Sequence, residues 1–296
     1  MNDQAQLLRG LMEQRGEPAA TLPLPGSRRR AHTVAVASGK GGAGKSNIAL
    51  NLAIRLAQTD HKVCLLDANM GLGNLDLLCG LNGYWNLAHV ISGARDLSEI
   101  MLSGPAQVHV IPGASGLIDV ADCPPSAQRE ILAQLETIEY SHDFLIIDTG
   151  TGIHKTVRQF VSAADTILVL TTPEPTSIAD AYAMIKALGN SRESARPMIL
   201  VNQADSIEQA RGIILRMQET ARTFLHTTVD SAGSIPRDPQ VPRAVHRRVP
   251  FVMESPHCPA AQGIEQLARR VINLSQRSRQ PQTYFSQFRE ILPRAA

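Results

Sequence analysis

The stretch Ser38-Gly39-Lys40-Gly41-Gly42-Ala43-Gly44-Lys45-Ser46 constrains the fold of this chain more than any other. It follows an apolar run, Thr33–Ala37, and precedes Asn47–Leu56, where apolar residues recur at helical spacing. Strand, glycine loop and helix in that order are the context in which G-x-x-x-x-G-K-[ST] cradles a polyphosphate. The glycines let backbone N–H groups wrap the phosphates without side-chain clash, and the helix points its positive end at them. Gly39, Lys40, Gly41, Gly42, Ala43, Gly44, Lys45, Ser46 and Asn47 are therefore nucleotide-binding candidates. Lys45 would reach the β- and γ-phosphates, and the Ser46 hydroxyl would ligate Mg²⁺.

The rest of the chain alternates strand and helix patterns. Lys62–Asp67, Val108–Ile111, His142–Asp148, Thr166–Leu170 and Met198–Val201 read as strands. Ser126–Ile138, Ile178–Leu188 and Ile207–Thr223 read as helices. That alternation predicts an α/β fold, a doubly wound and mostly parallel sheet. In open α/β sheets ligands gather at the carboxyl ends of strands, so Asp67 and Asp148 are candidate Mg²⁺ ligands beside Ser46. The continuously apolar run before Asp148 fits a strand buried on both faces, the second signature of a P-loop enzyme. Thr149–Ile153, with two glycines, gives a loop able to rearrange when a γ-phosphate leaves. Asn202 ends a strand on the same edge. Asn202-Gln203-Ala204-Asp205 also resembles the N-K-x-D guanine reader of GTPases, with Gln in place of Lys, and keeps GTP open beside ATP.

At 296 residues there is ample chain for one large domain or two modest ones. A net charge of +2 argues against a protein dedicated to coating nucleic acid, and direct DNA binding is not expected. Cys64, Cys79, Cys123 and Cys258 are far apart and read as reduced thiols rather than a disulfide frame or zinc site. The N-terminus is polar, without the apolar core of a signal peptide, and no run of about 18 apolar residues exists. A cytoplasmic location is expected.

Both ends depart from this pattern. Residues Asn2–Arg15 read as a short helix with an apolar stripe of Ala5, Leu8, Leu11 and Met12, too short to be stable without a docking surface. Pro18, Pro23, Pro25 and Gly26 then give linker composition, ending in Arg28-Arg29-Arg30. The expected organisation is an N-terminal helix over 1–16, a linker over 17–31, a P-loop nucleotide domain over 32–275 and a tail over 276–296. In the tail, Phe285, Phe288 and Leu292 share one helical face near basic residues, a pattern suited to an anionic membrane surface. The alternative is a tail that packs on its own domain.

The second lysine of the loop, Lys40, narrows the family. Gly39-Lys40-Gly41-Gly42-Ala43-Gly44-Lys45-Ser46 resembles the deviant Walker A motif of the MinD/ParA (SIMIBI) ATPases. The resemblance implies an ATP-bound homodimer in which Lys40 touches the partner's nucleotide. Asp3-Gln4-Ala5-Gln6-Leu7-Leu8-Arg9 fits the D-Q-A-x-x-L-R element of the FlhG/FleN branch, MinD-like regulators of flagellar number and placement. That branch implies stimulation of the GTPase FlhF through Asp3, Gln4, Leu8 and Arg9, further flagellar switch-complex or transcription-activator partners, and reversible membrane association through the tail. Gly233–Asp238 and Val241–Ala244 match the stretch that neighbours the adenine, making Pro236 and Arg237 candidate base contacts with Asn202. Similarity runs from about Thr33 to Val271, plus the N-terminal element.

One position departs from the family. Where it usually has Asp-x-Asp, this chain has Asp67-Ala68-Asn69. An amide cannot accept a proton from the attacking water. Losing general-base help typically costs about 10²–10⁴ in rate, although phosphoryl transfer leans more on positioning. A slow ATPase, rescue by another carboxylate such as Asp76, and a substitution that traps the ATP dimer all fit. The alternatives to a cycling ATPase are a non-hydrolysing nucleotide-gated scaffold and a ParA-type DNA-partition ATPase using Arg28–Arg30 and Arg243–Arg248. An iron-protein-like redox role shares the Lys40-type loop but lacks paired cysteines in a suitable context.

Overall fold

The computed structural model describes residues 30–69, 75–113, 125–189, 195–277 and 282–291. Its elements run β1 (His32–Ser38), α1 (Lys45–Ala57), β2 (Val63–Ala68), α2 (Leu75–Leu78), α3 (Leu87–Ile91), α4 (Leu97–Ile100), β3 (Leu102–Ser103), β4 (His109–Ile111), α5 (Pro125–Ser141) and β5 (Phe144–Thr151). They continue α6 (Lys155–Ser162), β6 (Thr166–Thr171), α7 (Pro175–Leu188), β7 (Pro197–Ala204), α8 (Ile207–Leu225), β8 (Asp230–Pro236), α9 (Gln240–Arg247), α10 (Phe251–Glu254), α11 (Pro259–Arg277) and α12 (Tyr284–Ile291).

Eight strands form one sheet in the order β3-β4-β2-β5-β1-β6-β7-β8. All pairings are parallel except β3 with β4. The α/β doubly wound reading of the sequence holds. Strand side chains alternate between two cores. Val34 and Val36 of β1 face a layer built with α1 and α11, while Ala35 and Ala37 face the layer of α5, α6, α7 and α8. Burial on both faces explains why β1, β2 and β6 read as near-continuous apolar runs.

Two elements differ from the sequence expectation. β8 carries Asp230, Ser231 and Gly233, too polar and glycine-bearing to read as a strand, yet it pairs with β7 at the sheet edge. The larger difference is at the tail. Tyr284, Phe285 and Phe288 of α12 are fully buried in the α5–α8 layer rather than displayed. Phe288 stacks on Phe160 of α6 at 4.6 Å, and the Tyr284 hydroxyl donates to the Phe160 carbonyl at 2.9 Å. An amphipathic stripe satisfies a core as well as a lipid surface, and α5 and α6 supply the core. Leu292, the third residue of the expected membrane face, lies outside the described residues, as does the N-terminal segment with Asp3, Gln4, Leu8 and Arg9.

Candidate nucleotide and metal site

The loop between β1 and α1 is shaped by what it must approach. A Cβ on Gly39 would come within 2.5 Å of the Asp180 carbonyl oxygen, so α7 can lie against the start of the loop only if this residue is glycine. Gly44 caps α1 with φ +93°, and a Cβ there would fall 2.4 Å from the Asn202 amide nitrogen. That amide nitrogen donates to the Ala43 carbonyl at 2.8 Å. Asn202, at the end of β7, thus braces the loop from behind while lining the cleft in front of it.

Parallel register brings the acidic residues together. Asp67 on β2 lies opposite Asp148 on β5, which lies opposite Val36 on β1, immediately below the loop. The Asp148 carboxylate accepts a hydrogen bond from Ser46, and Lys45 is attracted to it. Burial, with a further push from Asp67, raises the Asp148 carboxyl to about 7. Burial likewise lowers Lys45, opposed by Asp148. Asp148 Oδ1 is buried without a hydrogen-bond partner among the described residues. Two adjacent carboxylates, a serine hydroxyl and an orphaned buried oxygen fit a hard cation such as Mg²⁺, which prefers few protein oxygens and keeps its waters. Ser46, Asp67 and Asp148 are the residues that would hold it.

Asn69 follows directly. Its backbone N–H donates to Asp67 Oδ1 at 3.0 Å, which places the residue at the mouth of the carboxylate pair. β5 runs on past Asp148 to Thr151, so the loop expected over Thr149–Ile153 begins only after that strand; Thr149 donates to the Val36 carbonyl at 2.9 Å and Gly152 N–H donates to the Ser38 carbonyl at 3.1 Å. Residues 70–74, between Asn69 and Asp76, are outside the described residues.

Beside the loop opens a cleft of about 870 Å³, lined by Gly42, Gly44, Asn47, Asn202, Pro236, Arg237 and others. It is large enough for a base and ribose. Pro236 and Arg237 do lie on its wall, as the sequence suggested. Ile235 and Asp238, from the Gly233–Asp238 stretch, also line it, as do Val245, His246 and Phe251, which were not singled out in the sequence. Their signal is topological, because β8 and α9 meet the loop only after the sheet is assembled. Asp238 has a structural duty as well, accepting the N–H groups of Gln240 and Ala260 at 2.9 and 3.1 Å. Asp205, the residue that would read guanine, is instead engaged by Arg237 Nε at 2.9 Å and is absent from the cleft wall.

Lys40 turns toward the beginning of α7. Its ammonium donates to Glu174 Oε2 at 2.7 Å and to Thr176 Oγ1 at 3.2 Å, at the beginning of α7. The two lysines of the loop therefore have separate environments, one buried against the carboxylates and one at the surface.

With this geometry in place, comparison with known proteins is direct. The ParA family profile, described as NUBPL iron-transfer P-loop NTPase, matches residues 29–272. The antiactivator FleN of Pseudomonas aeruginosa is 35% identical over 246 residues, 83% of this chain and 88% of FleN. The chain belongs to the MinD/ParA family of P-loop ATPases. Within it the similarity is to the FlhG/FleN branch, since the flagellum site-determining protein YlxH of Helicobacter pylori is also 31% identical over 92% of this chain and 91% of its own length. Among solved structures, the MinC:MinD cell division protein complex of Aquifex aeolicus superposes with a TM-score of 0.67 at 26% identity, covering 86% of this chain and 98% of that one. The family is one of P-loop ATPases, and Lys45, Ser46, Asp67 and Asp148 are this chain's candidates for holding a phosphate and a metal.

Proposed function

We propose that this chain is an ATP-gated, dimerising switch that regulates flagellar number or placement. The observation that carries the reading is the segregation of the two loop lysines. Lys45 is buried beside Asp148, placed to serve the chain's own nucleotide, whereas Lys40 lies nearer the surface, paired with Glu174, from which it must part to serve a second one. The similarity to FleN and YlxH supports the flagellar assignment. In this reading ATP and Mg²⁺ assemble a homodimer through Lys40. Pro236, Arg237 and Asn202 seat the base, and Asn69 stands where the attacking water is positioned. The Asp3–Arg9 element stimulates an FlhF-like GTPase. Membrane contact through α12 requires Phe285 and Phe288 first to leave the core they occupy here.

The test measures mass, vesicle co-sedimentation and stimulation of the GTPase with ATP, with ADP and without nucleotide. An ATP-specific dimer with vesicle binding and GTPase stimulation lost in Leu8→Ala supports the proposal. A chain that stays monomeric in ATP contradicts it. A second reading, a scaffold that hardly hydrolyses, is favoured by Asn69 alone. Tight ATP binding without phosphate release would select it.

A further inference from the structure

Arg30, just before β1, and the start of α12 meet in one buried charge cluster. Arg30 makes a bidentate pair with Asp165, at 2.7 and 2.6 Å. It also stands 4.0 Å from the fully buried Glu139 carboxylate of α5. Glu139 in turn accepts the N–H groups of Tyr284 and Phe285 at 2.8 and 3.0 Å, satisfying two of the donors at the start of α12 that have no partner within the helix. The Ala31 N–H donates to the Glu139 carbonyl at 2.6 Å, so the same residue grips the chain on both sides.

We propose that Arg30 and Glu139 form an electrostatic latch through which the junction of the N-terminal arm controls docking of the C-terminal helix. Glu139 can hold α12 as a carboxylate only while a cation offsets its charge, and among the described residues Arg30 stands within 4.0 Å of it. Removing Arg30, or drawing it away by engaging the arm, leaves Glu139 and Asp165 buried near each other without it. An uncompensated buried charge is relieved by letting water in, and α12 covers Glu139. The helix therefore undocks.

The other charged and titratable groups around the latch are consistent with this assignment. His32, 3.9 Å from Asp165, is kept low by burial and donates or accepts at Thr166 rather than replacing Arg30. Tyr284 is raised by burial and by Glu139 itself and so stays neutral. Tyr140 interacts with Arg30, and Glu136 reaches only Thr283 Oγ1, at 3.4 Å. Burial pushes Glu139 up to about 7, with Asp165 adding to the rise and Arg30 and the two N–H groups opposing it. The latch concerns docking of α12 alone and holds whatever α12 meets once released.

The test is amide hydrogen exchange on the full chain without nucleotide, comparing wild type, Arg30→Gln, Arg30→Lys and Asp165→Asn at pH 5.5 and pH 8. At pH 8, Arg30→Gln should raise exchange in α12 at least tenfold while β5 and α1 keep their protection. At pH 5.5, where Glu139 carries a proton, the difference from wild type should shrink to about twofold or less. Arg30→Lys keeps a cation in place and should stay near wild type at both values. The proposal is overturned if Arg30→Gln leaves α12 unchanged, loosens every segment together, or acts equally at both pH values. If Arg30→Gln does not fold, Asp165→Asn decides. It frees Arg30 for Glu139 and should leave α12 as protected as wild type or more so, and faster exchange there at pH 8 overturns the latch.

Discussion

Lys40 Nζ lies 2.7 Å from Glu174 Oε2, so the lysine assigned to a second subunit's nucleotide is held by its own subunit in this structure. Both side chains are substantially exposed, and such a pair contributes little at physiological salt. Glu174→Gln should lower the ATP concentration for half-maximal dimerisation by about two- to fivefold, less at high salt. Mass measurements across an ATP titration read this. A rise in the required ATP would instead make Glu174 a contributor to the assembled interface.

In the proposed site the carboxylate pair would hold the metal. Asp148→Asn should keep the fold and nucleotide binding but reduce Mg²⁺-dependent hydrolysis at least ~10²-fold, because it removes the charge that holds the cation beside the phosphates. Lys45→Ala should abolish nucleotide binding as well. Binding of a fluorescent ATP analogue with and without Mg²⁺ separates the two.

Asn202 links the loop to the sheet by its bond to the Ala43 carbonyl. Asn202→Asp replaces that donor with an acceptor and brings negative charge toward the phosphates. Nucleotide affinity should fall about tenfold or more for the loss of a buried bond and the added repulsion, with the melting temperature of the nucleotide-free chain changed far less. Calorimetric titration with ADP checks it.

Docking of α12 makes stability depend on pH. Glu139 has an ordinary value of 4.5, and burial raises it to about 7 in the folded chain. The folded state therefore holds this proton more tightly, and stability from Glu139 is full below about 4.5 and lost as pH rises through about 7. Asp165 acts oppositely. Arg30 holds it below 3.8, so its contribution is present above that value and lost only as pH falls through its depressed value. Denaturation midpoints should decline between pH 5 and pH 7.5, and this decline should vanish in Glu139→Leu, a variant of lower overall stability. Phe288→Ala should cost about 3–5 kcal/mol of docking for a fully buried aromatic, visible as proteolysis near α12 with nucleotide binding intact.

The candidate phosphate and metal groups can be picked out of the sequence because their chemistry is local. Gly39–Ser46 is one contiguous segment, and Asp67 and Asp148 announce themselves as carboxylates ending apolar runs. Partners distant in sequence cannot be. Glu174 meets Lys40 across 134 residues, and Glu139 meets Tyr284 across 145. No periodicity encodes either contact. The stripe of Phe285 and Phe288 was visible but ambiguous, since burial against Phe160 and insertion into lipid reward the same spacing. In this structure the stripe is packed in the core, and Glu139 accepts the N–H groups of Tyr284 and Phe285 at the start of α12.

The most direct test of the ATP-driven switch compares turnover and assembly of this chain with Asn69→Asp, in ATP and Mg²⁺, with phosphate release and mass recorded together. The expected result is a slow chain that accumulates as an ATP dimer and an Asn69→Asp variant that hydrolyses about 10²-fold or more faster and dissociates. If neither protein dimerises in ATP, the two-lysine division of labour is wrong and the chain does not work as a nucleotide-driven switch.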